Sequence, residues 1–199
     1  MAYPTVDAPY GLKPINLVGG QGFAGATRQI PIASGYNTNL LNGDLVKLVA
    51  SGTLEKDTGT TTATPVGVFL GCRYTDPSLG YELYSQQFPA NTVASDIVAY
   101  VADDPDQLYK VAVVSGTTVI AGVGRTVVGN NMSLVQNAGS TATGNSKVAV
   151  LSGSAATTNT LPIRVIDVVA ETATAADTYV ELVVKFNFGK HQYQNATGV

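Results

Sequence analysis

The sequence predicts an all-β fold, a single jelly-roll-like β-sandwich or barrel, and three observations carry that prediction. Short runs of β-branched and aromatic residues recur roughly every ten residues, Gly, Pro, Asn and Asp punctuate them, and helical periodicity is nearly absent. The run at residues 179–188 displays the pattern most plainly. Val180, Leu182, Val184 and Phe186 share one face of an extended chain, and Glu181, Val183, Lys185 and Asn187 share the other.

Residues 1–25 interleave Pro4, Pro9, Pro14 and five glycines with Tyr3, Tyr10, Leu12, Ile15, Leu17, Val18 and Phe23. So many breakers exclude a helix or a long strand, while so many apolar residues argue against a solvated linker. An extended arm lying on its own domain or on a neighbour reconciles the two. The β domain then spans residues 26–188. Strands are expected around Ile30, at 45–49 after the Asn42-Gly43 turn, at 53–56 and at 65–74, where Gly67 and Gly71 mark bulges or close backbone approaches. Residues 81–84 give a further candidate.

The most informative stretch follows, DIVAYVADDPDQLYKVAVV at 96–114. Two apolar runs flank Asp103, Asp104, Pro105 and Asp106, whose side chains and fixed φ supply turn chemistry. Ser115 or Thr117 is positioned to cap one helical turn ending at Gly122. Residues 126–128, 132–135 and 147–151 read as short strands, and 136–146 as an exposed, mobile loop. Residues 161–169 and 179–188 complete the sheet, and 189–199 form a polar tail with one aromatic residue, Tyr193.

Composition narrows the function classes. Only 13% of residues are charged against 45% hydrophobic, where an ordinary domain keeps about a quarter charged, so part of an uncharged surface is expected to be covered by a partner. The net charge of −3 and scattered Lys and Arg argue against a nucleic-acid surface. No apolar run is long enough for a spanning helix, and the start of the chain lacks a leader's charged and apolar regions, so a soluble protein made in the cytoplasm is expected.

No residue pattern supports catalysis or a cofactor. The single cysteine, Cys72, lies in an apolar run, and with the single histidine, His191, it cannot complete a zinc site. Asp103, Asp104 and Asp106, with Asp96, offer oxygen ligands, but the spacing is not that of a calcium loop and no basic partner adjoins them in sequence, so the corner reads as a solvated turn. Gly122-Val123-Gly124 lacks the following helix that a phosphate loop needs. The sequons at Asn131 and Asn195 are chance matches.

Several phrases, in order, carry a resemblance: GDLVKL and TPVGVFLG, then VADDPDQLYKV, GNNMSLV, TGNSKVAVL, LPIRVIDVV and a strand ending in NFGKHQY. From about Gly43 to Tyr193 the chain resembles the capsid decoration, or head cement, proteins of tailed bacteriophages. The resemblance implies a non-enzymatic homo-oligomer, dimer or trimer, on the outer surface of the virion. There it would bridge major capsid protein subunits without contacting nucleic acid or membrane. Tyr3, Pro4, Tyr10, Leu12 and Ile15 of the arm, with His191 and Tyr193 of the tail, are the expected contacts, and deleting residues 2–14 is expected to leave a folded domain that no longer decorates heads. Two other classes stay open: a tail or spike receptor-binding module, and a small glycan hydrolase using Asp103 or Asp106 with Glu82.

Overall fold

A computed structural model describes residues 8–199. Among the described residues strands account for 41% and no helix reaches seven residues, so two-residue alternation decides what is buried. In order, the strands are β1 (Lys13–Leu17), β2 (Arg28–Pro31), β3 (Leu40–Leu41), β4 (Leu45–Leu48), β5 (Leu54–Lys56) and β6 (Gly67–Thr75). Then come β7 (Glu82–Ser85), β8 (Gln87–Phe88), β9 (Val98–Ala102), β10 (Gln107–Val114), β11 (Asn131–Met132) and β12 (Leu134–Val135). The last are β13 (Ala149–Leu151), β14 (Ile163–Val168), β15 (Ala173–Ala175), β16 (Thr178–Tyr179) and β17 (Glu181–Phe186).

Two larger sheets curl into an almost closed, barrel-like body. The first runs β11-β14-β17-β10-β13-β12, with β1 on β10; the second runs β2-β9-β6-β4-β5, with β7 on β6. Each is built around its longest strand, β10 or β6, because only those are long enough to hold two short neighbours end to end along one edge. One core gathers Tyr109, Val111, Ile163, Val165, Leu182, Val184 and Phe186 from the first sheet with Leu45, Val68 and Ala102 from the second. A second core, with Phe69, Cys72, Phe88 and Val101, lies on the opposite face of the second sheet.

The acidic corner is the hinge between these halves. β9 pairs within the second sheet and β10 within the first, so the turn at 103–106 carries the chain across. Tyr109, fully buried, donates its hydroxyl to the Ala102 carbonyl at 3.0 Å and closes the corner from inside. The glycines of β6 behave as expected: a Cβ on Gly67 would stand 2.3 Å from the Ala102 carbonyl oxygen, and the register against β9 slips between Phe69 and Gly71.

Three expectations are corrected. Residues 115–122 form no helical turn. Ser115 and Ala121 instead donate backbone N–H groups to Val119 and Val113, because β-branched Thr117, Thr118, Val119 and Ile120 are poor helix formers and the chain folds back on β10. Residues 126–128, expected as strand, fall partly in a 3-10 turn at Arg125–Val127. The loop at 136–146 is tied down, with Asn137 donating to the Thr117 and Lys147 carbonyls and Asn145 bridging to Asn42. Residues 13–17 lie on the chain's own domain, one of the two placements expected for the N-terminal segment: Pro14 removes one donor, yet the segment adds to β10 as an edge strand with a bulge at Ile15, where a missing N–H is tolerated.

Candidate functional site

The expected interface residues separate into three groups. Tyr3 and Pro4 lie outside the described residues. Leu12 and His191 are fully buried in the body of the chain itself, so neither is available to a neighbour, which corrects both assignments. Leu12 is drawn in because Gly11, at φ +81°, passes so close to Gly43 and Ser146 that a Cβ would stand 2.7 Å from each, after which the Leu12 N–H reaches the Gly43 carbonyl at 3.0 Å. Removing residues 2–14 therefore strips a core side chain and the start of β1, against the expectation of an intact domain. Tyr10, Ile15 and Tyr193 keep solvent exposure.

Tyr10 is half-buried against the first sheet. Its hydroxyl donates to the Glu181 carboxylate, and the Lys110 ammonium sits 5.8 Å from its ring. Burial, reinforced by Glu181, raises its phenol well above the ordinary range. Glu181, buried on the otherwise polar face of β17, is thus satisfied from two sides, with Lys110 3.6 Å away.

The tail and the acidic corner meet, a juxtaposition with no signal in linear spacing. Asp103 is not a solvated carboxylate. It receives the Arg28 guanidinium and, at 2.8 Å, the Tyr193 hydroxyl, and Arg28 lies 5.5 Å from the Tyr193 ring centroid. A shallow depression of about 490 Å³, lined by Arg28, Asp103, Asp104 and Tyr193 among others, opens here. Beneath it, His191 packs against Phe186 and Tyr193 and accepts the Tyr193 backbone N–H on Nδ1 at 3.2 Å. Burial holds its imidazole below the usual value, although Asp103 and Asp104 pull it upward. Gln192 then copies a strand partner, accepting the Leu48 N–H at 2.7 Å and donating to the Leu48 carbonyl at 3.0 Å. The tail leaves the first sheet and is stitched onto the second.

Other candidates resolve as structure. Cys72 donates to the Gln87 carbonyl from within the second core, and burial pushes its thiol up to about 12, far from a thiolate nucleophile. The proposed carboxylates each hold a different cation: Asp103 takes Arg28, Asp106 takes Lys185 and Glu82 takes Arg73. Among the described residues no three His, Cys, Asp or Glu side chains converge as a metal site would require. Gly122 has no room for a Cβ beside Thr178, so that glycine serves packing. Asn131 is buried and bonded to Thr158 and Arg164, unfit for a glycan.

Two exposed features escaped sequence reasoning. On the β6–β7 hairpin, Leu79, Tyr81 and Tyr84 are 59%, 55% and 65% exposed, and Tyr84 stands across from Arg73. At the end of β17, Phe188 is 82% exposed between two depressions. Sequence alternation alone pointed to neither: Leu79, Tyr81 and Phe188 lie outside the strands, and Tyr84 takes the exposed phase of the edge strand β7, a face that alternation does not distinguish from a buried one. No family model matches the chain, and no curated protein or solved structure is similar to it. The class that fold and surface define is an all-β, barrel-like domain.

Proposed function

We propose that this chain is a structural virion protein of the capsid decoration class, binding the outside of an icosahedral head and cementing neighbouring major capsid protein subunits as a homo-oligomer. The observation that carries this reading is the exposure of Leu79, Tyr81 and Tyr84 on the β6–β7 hairpin, which also bears the Arg73–Glu82 pair, in a chain with only 13% charged residues. Tyr and Arg on a low-charge surface are the residue types that dominate binding energy at protein interfaces. The ordered phrases from Gly43 to Tyr193 support the same class.

The clamp implied by this reading differs from one built on two free arms. The segments at 13–17 and 191–193 are fastened to the body, so adhesion comes from its surface and from Ile15, Tyr193 and the exposed hairpin residues. Repeated over an oligomer, individually weak contacts then multiply into avidity. The direct test is to assemble heads with and without the protein and image them. Density for the chain over capsid subunit junctions, with a raised disruption temperature, is expected. Heads that neither retain the protein nor gain stability overturn the proposal.

A further inference from the structure

The face around Phe188 is constructed for an anion beside an apolar group. Arg164, on β14, donates from Nε to Asn131 Oδ1 and from Nη2 to Asn187 Oδ1 at 3.3 Å. Both asparagines are buried, and both are held in that orientation: Asn131 Nδ2 donates to the Thr158 carbonyl at 2.8 Å and Asn187 Nδ2 to the Leu161 carbonyl at 3.0 Å. The guanidinium is thereby fixed by neutral carboxamides, and among the described residues no carboxylate pairs with it. Three of its five N–H donors remain, with its full charge.

Directly across from Arg164 in the β14–β17 register stands Lys185. Like charges in that position repel, and the Asp106 carboxylate relieves only the lysine. On the other side Lys190 shares with Arg164 the rim of a depression of about 540 Å³. Phe188 divides this from a smaller one of about 280 Å³, lined by Ile166, Phe186 and Phe188 itself together with Arg164, Lys185 and Asn187. Two cationic, carboxylate-free depressions thus flank the exposed Phe188 ring, in a chain whose net charge is −3.

We propose that this surface receives an acidic peptide segment of a partner protein, with a carboxylate on the Arg164 fork and Lys190, and a neighbouring apolar side chain against Phe188. Planar, oriented guanidinium suits a carboxylate bidentately, and the exposed Phe188 ring between the two depressions offers an apolar contact beside it. Three cations, one already paired, are too few to track a nucleic-acid backbone. This inference holds whether or not the partner is a capsid subunit.

The test is a selection of random heptapeptides on the immobilised full chain, followed by affinity measurement and amide-shift mapping with the enriched peptides. Sequences pairing Asp or Glu with an aromatic or aliphatic residue are expected, shifting residues 159–164 and 185–190 and weakening with salt. Phe188→Ser and Lys190→Glu, both outside the core, should each weaken binding about tenfold. Arg164→Lys, which keeps the charge and loses the fork, should weaken it as well. Absent enrichment, enrichment of neutral or basic peptides, or binding unchanged in these variants overturns the proposal. So does displacement of the peptides by a single-stranded oligonucleotide, or self-association of the chain through this face.

Discussion

At the scale of single residues, burial separates side chains that the linear pattern treats alike. Leu12 and Ile15 both belong to the apolar N-terminal segment, yet Leu12 is fully buried and Ile15 is 37% exposed at a bulge. Leu12→Ala should therefore cost about 2–5 kcal/mol in denaturant unfolding. Ile15→Ser should leave stability within about 0.5 kcal/mol and act only on association. His191 adds a pH dependence. Its folded-state pKa lies below the ordinary 6.5 because burial opposes the charged form. The stabilising contribution of the neutral ring is complete above pH 6.5 and lost as pH falls towards the folded value, because protonation charges a buried ring and turns Nδ1 from acceptor to donor against the Tyr193 N–H. Unfolding midpoints should fall between pH 7 and 5, with a slope of at most about 1.4 kcal/mol per pH unit from this group, and His191→Phe should flatten that slope.

At the scale of elements, the critical contacts lie where strands of different sheets meet. Gly67 begins β6 with the Ala102 carbonyl of β9 against its Cα, so Gly67→Ala should destabilise by about 1–3 kcal/mol through forced displacement, seen as a lower denaturant midpoint at unchanged slope. Between β3 and β4, Asp44 is wholly buried and accepts from Lys56 at 2.8 Å, Ser146 at 2.6 Å and the Leu41 N–H at 3.0 Å. This carboxylate fastens the loop before β13 to the second sheet. Asp44→Ala would strand the largely buried Lys56 ammonium and is expected to cost about 3–5 kcal/mol by the same measurement. The corner at 103–106 is legible as a turn, because Asp and Pro dictate one locally. Its role as the crossing between sheets, and its ties to Arg28, Lys185 and Tyr193, are not, since those partners lie 75, 79 and 90 residues away.

At the scale of the whole molecule, the termini close the structure. β1 extends the first sheet beside β10, and the tail crosses from β17 to Leu48 of the second sheet. Deleting residues 2–14 should lower the thermal transition by more than 10 °C through loss of Leu12 and of β1 pairing, at roughly 2–4 °C per kcal/mol for a chain of this size.

Local chemistry was enough to specify an all-β fold, the position of most strands, the inward face of β17 and the need for glycine at 43, 67 and 71. Each follows from side-chain alternation or backbone sterics within a few residues. Which strands pair, which apolar residues of the N-terminal segment enter the core, and how Arg164 comes to be held between Asn131 and Asn187 depend on contacts between distant parts of the chain. Those contacts are chosen by burial and hydrogen-bond satisfaction over the entire body, so they exist only once the two sheets have closed on each other.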